Sequence, residues 1–294
     1  MRFWLVDLFS IHGIVCFAQN HERLICEAQQ KGSTLKNEMI AGLNVWHNAS
    51  SRGRLFVAIH GGCGTGQTWE DVSKTFGDSV RFFAPDLPGH GGSPLDRPLG
   101  KVTIGEYTNA LVKFCERFEH ERIDVLGHSM SALIALQLAG RAPNIRKIVL
   151  LNGVPPWPLI TPRTFFRSLK YLPKFLRGER WKYTKKDYRY LLCASYSGAD
   201  IKPELADKLC DESVDESGEA AREMCLGLIR PAATTTPVMV VAARGDRIVP
   251  LHSQWRMARR YSACYYEFFG AHMSVFDPAF AWVFDHHIIP WLQK

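Results

Sequence analysis

"IDVLGHSMSALIALQLAG", residues 123–140, changes its period in the middle. The run from Ile123 to Leu126 is short and apolar, as a buried strand is, and it ends at Gly127. The residues after Ser129 are apolar on nearly every side of a helix, so that helix belongs packed against a sheet. A strand that becomes a helix through so sharp a turn holds its central residue in a strained backbone conformation, with its side chain projecting from the carboxyl edge of the strands. Open α/β sheets keep their ligands at that edge. The flanking positions must be small, because a larger side chain would strike the strand or the helix, and Gly127 and Ser131 meet that demand. Ser129 is therefore the candidate nucleophile, and Ser131, one step into the helix, is not.

Outward from this turn, short apolar runs alternate with helix-length segments. The runs are Leu55 to Ile59, Val80 to Ala84, Ile123 to Leu126 and Ile148 to Leu151, and the rhythm resumes with Val238 to Ala242 and Tyr265 to Phe269. "AFAWVFDHHIIPWL" reads as a closing helix. This pattern predicts an α/β fold with a mostly parallel central sheet covered by helices. Residues 154–231, rich in proline, aromatics and charge, break the rhythm and read as a mainly helical insertion, a cap over one edge of the core. The core is then split into residues 1–153 and 232–294, with 1–39 as an N-terminal extension of uncertain form. A chain of 294 residues, 46% hydrophobic, suits one enlarged domain of this kind.

Eight cysteines without a CxxC pair read as reduced, mostly buried thiols, which favours a cytoplasmic compartment over a disulfide framework or a zinc site. Residues 1–18 have a crude signal-peptide outline, with Arg2 ahead of an apolar run and Ala18 at its end. Asp7 and His12 interrupt that run, and a folded or interfacial segment is the preferred reading. The triplet Asn48-Ala49-Ser50 is a glycosylation acceptor only in a secreted chain.

The turn spells G-x-S-x-G with serine in the last place. "GHSMSA" resembles the elbows of cofactor-free esterases in the α/β-hydrolase family, and also "GHSVSA" of its strigolactone-receptor branch. The resemblance runs from about residue 40 to the end. It implies the chain order serine, acid, histidine. "PVMVVAARGDRIVP" supplies Asp246 and "CYYEFFGAHMSVFDP" supplies His272, each at the carboxyl end of a predicted strand. Alone, an aspartate in such a loop is a common turn residue, and a histidine among aromatics a common core group. Their order and strand-end positions relative to Ser129 carry the assignment. The strand ending "IVLLNGVPP" has Asn152 where another carboxylate could stand, and Asp124 begins its strand and faces the wrong end. "LFVAIHGGCGTGQTW" resembles the family's oxyanion loop, which implies the backbone N–H groups of Gly62 and Met130 as oxyanion donors. It lacks the Gly-Lys-Ser/Thr ending of a phosphate loop. "APDLPGHGGS", with Asp86 and His90, resembles a structural turn of the family, and His128, His286 and His287 are read as structural.

The resemblance implies a metal-free, cofactor-free serine hydrolase that cleaves a carboxylic ester or thioester through an acyl-enzyme. Two alternatives stay open: a ligand sensor that turns over slowly or not at all, and a thioesterase acting on carrier- or CoA-bound acyl chains. Substrate-contacting residues are not readable. The charge is unevenly laid out. Residues 163–189 hold ten Lys or Arg against Glu179 and Asp187, whereas residues 200–223 hold nine acids against Lys202, Lys208 and Arg222, in a chain of net charge +7. One explanation is two solvated helix faces that attract each other. The other is an acidic partner at the basic stretch 163–189: an acyl carrier protein, coenzyme A or an anionic membrane surface. No recognition motif points to nucleic acid.

Overall fold

A computed structural model describes residues 35–50, 52–76, 80–159, 166–192, 203–231 and 234–294. The segment 1–18, Arg163, Asp200 and Lys202 lie outside them. Eight strands form one sheet in the order β1-β2-β4-β3-β5-β6-β7-β8. The predicted runs are β3 (Arg54–Ile59), β4 (Val80–Pro85), β5 (Ile123–His128), β6 (Ile145–Leu151), β7 (Val238–Ala243) and β8 (Cys264–Phe268), all mutually parallel. Two strands precede them, β1 (Lys36–Ile40) and β2 (Leu43–His47), paired antiparallel. β1 falls inside the stretch read as an extension. Lys36, Asn37 and Glu38 are polar and exposed, and Met39 and Ile40 make too short an apolar pair to announce a strand. The hairpin turn is Ala41-Gly42, both at positive φ (52° and 82°), the conformation a two-residue hairpin demands. Lysine and glutamate along β1 also blunt this edge against further pairing. At the end of β2, the Asn48 side chain donates to the Val80 carbonyl (2.9 Å) and accepts from the Phe82 amide (3.2 Å), tying that edge to β4.

Alternation along each parallel strand feeds two cores. Leu55, Val57, Ile59, Ile123, Val125, Ile148 and Leu150 face α2 (Ile104–Glu116), α3 (Ser131–Ala139) and α8 (Leu251–Arg260), through residues such as Leu111, Leu133 and Met257. Phe56, Ala58, Leu126, Val149 and Leu151 face the opposite way, onto α1 (Glu70–Phe76), α9 (Pro278–Val283), a π-turn at Phe284–Ile288 and α10 (Ile289–Gln293). Strands buried on both faces need apolar residues at every position, which is why they read as continuous runs. At the amino edge of the sheet Asp124, 1% exposed, is held by Arg146 (2.8 and 2.6 Å) and Arg54 (3.4 Å). Arg54 also donates to the Leu292 carbonyl and Lys147 to that of Trp291, each at 2.7 Å.

Between β6 and β7 lie α4 (Leu172–Arg177), α5 (Lys185–Leu192), α6 (Pro203–Glu212) and α7 (Gly218–Leu226). They rest on loops at the carboxyl edge: Val214 N–H donates to the Cys63 carbonyl (3.1 Å), Ser217 Oγ to that of Val102 (2.6 Å), and Met273 N–H to that of Leu191 (3.3 Å). Much of the charge alternation is a seam within this insertion. Arg180 meets Asp215 at 3.3 Å, Lys185 meets Asp211 at 3.4 Å, Arg189 meets Asp207 at 3.0 Å, and Lys170 meets Asp187 at 2.7 Å. Among the described residues no helix is long and apolar enough to cross a membrane.

Candidate active site

Ser129 sits between the last residue of β5 and the first of α3 with φ 53°, the left-handed conformation that the sharp turn imposes. The close packing required at its flanks is present. A Cβ on Gly127 would lie 2.3 Å from the Ser131 carbonyl oxygen, and one on Gly61 would lie 3.1 Å from the Ser129 Cβ. Ser131 is fully buried and its hydroxyl donates to the His60 carbonyl. At the position where the family motif has glycine, this chain therefore ties its elbow to the end of β3.

Three side chains from distant parts of the chain meet here. His272 Nε2 is 2.9 Å from Ser129 Oγ, and His272 Nδ1 is 2.8 Å from Asp246 Oδ2. The other aspartate oxygen accepts the amides of Ile248 (2.7 Å) and Val249 (2.9 Å), which orients the carboxylate toward the ring. With Nδ1 donating to a carboxylate, the Nε2 lone pair is left to accept the Ser129 hydroxyl proton. Asp246 follows β7 and His272 follows β8, so the parallel order of the sheet gathers all three at one edge.

The histidine loop has a holder that sequence reasoning used only by exclusion. Asn152, fully buried at φ 46°, donates through Nδ2 to the carbonyls of Ala271 (3.2 Å) and His272 (3.0 Å) and to Ser274 Oγ (2.9 Å). Its Oδ1 accepts the Ala243 amide at 2.8 Å, joining the ends of β6, β7 and the His272 loop. An amide can both donate and accept, its two N–H hydrogens shared among the three acceptors, and a carboxylate here would have no proton to offer them. His128 adds a further bond from Nε2 to the His272 carbonyl (2.9 Å); burial, with His272 adding, lowers it to about 3 and keeps it neutral.

On the other side of Ser129 lies the His60-Gly61-Gly62-Cys63 loop. His60 Nε2 accepts the Leu87 amide (3.1 Å), so Nδ1 carries the proton and donates to the Gly61 carbonyl (2.8 Å). Burial, with His90 second, lowers His60 to about 4, in keeping with that neutral form. Gly64 N–H also donates to the Gly61 carbonyl, at 3.2 Å. In a trans peptide the carbonyl and the next N–H point opposite ways, so holding Gly61 O sets the direction of the Gly62 N–H. Neither the Gly62 nor the Met130 amide has an acceptor among the described residues.

One more buried group was not singled out from the sequence. Glu216, in the insertion ahead of α7, is fully buried. Its Oε1 accepts Tyr107 Oη (2.8 Å) and Ser217 N (2.7 Å), and its Oε2 faces His90 Nε2 (3.1 Å) and the Cys63 amide (3.3 Å). It is one of nine acids in its stretch, and the local sequence does not distinguish it from its solvated neighbours. Asp86 is structural as expected, accepting the Gly66 amide (2.6 Å), the Gly92 amide (2.9 Å) and Asn44 Nδ2 (2.7 Å). His286 and His287 stack on Trp282 and Tyr266.

A sequence profile described as the alpha/beta hydrolase family matches residues 56–285. The chain belongs to the alpha/beta hydrolase family. Among its relatives are an uncharacterized Mycobacterium tuberculosis protein, 28% identical over 121 residues (41% of this chain, 35% of that one), and a Methylococcus capsulatus pimeloyl-[acyl-carrier protein] methyl ester esterase, 30% identical over 132 residues (42% and 49%). The shared stretch thus spans about a third of the mycobacterial protein and half of the esterase. A solved Thermogutta terrifontis esterase superposes with a TM-score of 0.69 at 18% identity, over 88% of this chain and 98% of that one. The hydrolase fold thus accounts for the mostly parallel eight-stranded sheet and the helices that flank it.

Proposed function

We propose that this alpha/beta hydrolase cleaves a carboxylic ester or thioester by way of an acyl-enzyme on Ser129. The hydrogen-bonded chain Ser129–His272–Asp246 at the strained turn carries the reading. His272 Nε2 takes the Ser129 proton as Oγ attacks the carbonyl, and Asp246 steadies the imidazolium that forms. The amides of Gly62 and Met130 stabilise the tetrahedral oxyanion. As the intermediate collapses, the carbonyl–leaving-group bond breaks, and His272 returns its proton to the departing alcohol or thiol. Water, deprotonated by the same imidazole, then attacks the acyl carbonyl; the acyl–Oγ bond breaks, His272 returns the proton to Ser129 Oγ, and the acid is freed.

Burst kinetics with chromogenic acetate and butyrate esters test this. Multiple turnover supports the enzyme. One acylation event that persists would place the protein among slow ligand sensors, and no acylation would sink the reading. A carrier- or CoA-bound ester is the second reading. It is favoured by Lys174 and Lys186, exposed bases of the basic stretch with no acidic partner among the described residues.

A further inference from the structure

We propose that Glu216 is a positioning residue: from the insertion it holds the Cys63 end of the oxyanion loop and so keeps the Gly62 N–H aimed at the carbonyl bound on Ser129. The inference rests on the oxyanion role given to Gly62 above.

Four donors converge on this one side chain, two on each oxygen: Tyr107 Oη and Ser217 N on Oε1, His90 Nε2 and Cys63 N on Oε2. Only an ionised carboxylate accepts at both ends, so an amide of the same shape would press an NH2 group against two donors whichever way it turned. The His90 ring nitrogens both face acceptors, the Glu216 carboxylate and the Pro88 carbonyl (3.3 Å), which requires a proton on each and makes His90 an imidazolium. A buried charge pair is a costly way to dock an insertion, and apolar contacts would dock it as firmly. What the pair adds is direction.

That direction falls on the loop beside Ser129. A Cβ on Gly62 would lie 3.5 Å from Glu216 Oε2, so the carboxylate lies against the proposed donor residue itself. The next residue, Cys63, has φ 62° without being glycine, a conformation that is strained for a residue with a Cβ. Both hydrogen bonds that hold it there come from the insertion: its N–H to Glu216 and its carbonyl from Val214 N–H (3.1 Å). The His90 ring packs 5.1 Å from that of His60, whose Nδ1 holds the Gly61 carbonyl. Glu216 therefore braces the Gly62 peptide from both sides, directly at Cys63 and through the histidines at Gly61.

Glu216→Gln in the full chain tests this. The measurements are kcat and KM on a butyrate ester, the affinity for an alkylboronic acid, and Tm. The tetrahedral adduct of a boronic acid on Ser129 places an oxygen in the oxyanion position. We expect kcat and boronate affinity to fall together, about ten- to a hundredfold, with KM within about twofold of wild type, because a misaimed donor is lost to the transition state and not to the ground state. Wild-type kcat and boronate affinity, whatever the Tm, would overturn the proposal, as would a rise in KM alone or a loss of kcat without loss of boronate affinity. Should Glu216→Gln fail to fold, Tyr107→Phe removes one donor and leaves the carboxylate. The same paired loss, about threefold, is expected there, and unchanged values overturn the proposal. A wild-type protein that neither turns over esters nor binds boronate would instead remove the hydrolase reading, and this inference with it.

Discussion

Ser129 owes its exposure to chemistry and its conformation to packing, and substitutions separate the two. Ser129→Ala should lower ester turnover at least about a thousandfold and leave the fold intact, and a double variant with His272→Ala should resemble either single one, since base and nucleophile act as a unit. Asp246→Asn should be less severe yet still large. Ser131→Ala, assayed alongside, should keep most activity while losing the buried bond to the His60 carbonyl. Near-wild-type turnover by Ser129→Ala would refute the assignment. The candidate triad was readable in sequence because each member sits at a strand end, where an apolar run stops abruptly. Asn152 was visible only as the absence of a carboxylate, because its work is done across 119 to 122 residues of chain, on Ala271, His272 and Ser274. Asn152→Ala should lower kcat about tenfold with little change in KM, as the histidine loop loses its holder while the substrate pocket is untouched. A KM rise at constant kcat, in steady-state assays of the purified variant, would contradict that role.

The strands of the parallel sheet were legible and the antiparallel strand at its other edge was not. β3 through β7 announce themselves because parallel strands between two helical layers are apolar through most of their length, and the half-exposed edge strand β8 by its aromatics, whereas β1 is mostly exposed and defined only by pairing with β2. The insertion was legible as a break in rhythm. The attraction between its basic and acidic faces was one of two readings on offer, but the reach of Glu216 to a buried histidine was not, because a charged stretch looks alike whether it faces water, another helix or a buried histidine. The basic and acidic stretches resolve into a seam: exposed pairs such as Arg189–Asp207 contribute ~0–1 kcal/mol each, so the seam aligns helices more than it stabilises them. Lys174 and Lys186 lie outside it, and substituting them tests the proposed carrier- or CoA-bound ester. If the substrate carries phosphate, reversing both to glutamate should raise KM for a CoA ester severalfold and flatten its dependence on salt, with a small neutral ester unaffected. Equal effects on both substrates, or none, would make these two lysines ordinary surface.

At the scale of the whole molecule, buried imidazoles set the response to acid. His60 and His128 are lowered to about 4 and about 3 from an ordinary 6.5, chiefly by burial. The unfolded chain therefore takes up two protons, as pH falls below 6.5, that the folded chain refuses. Their contribution is full above 6.5 and is lost as pH falls toward the folded values. His90 runs the other way. Burial alone would lower it, but Glu216 outweighs burial and raises it, so its contribution is full below 6.5 and fades as pH rises through that raised value. Between pH 6 and 5, unfolding free energy should fall by up to about 1.4 kcal/mol per pH unit for each of the two neutral histidines, a fall partly offset by proton uptake at Asp124, Glu223 and Asp277, whose carboxyls burial raises. Urea titrations across that interval check it, and a flat profile would refute the neutral assignments. The amino edge of the sheet leads elsewhere. Asp124 and Ser129 belong to the same short stretch of backbone, yet one is locked among Arg54 and Arg146 while the other meets His272 at the proposed reaction centre. Robustness and reactivity are thereby assigned to opposite rims of one scaffold, and they can be varied separately. Asp124→Asn should cost on the order of 2 kcal/mol of stability by stranding two guanidinium groups, yet leave kcat/KM within about twofold. For anyone reshaping this protein, the Asp124 rim is where thermal tolerance can be tuned without retuning the chemistry.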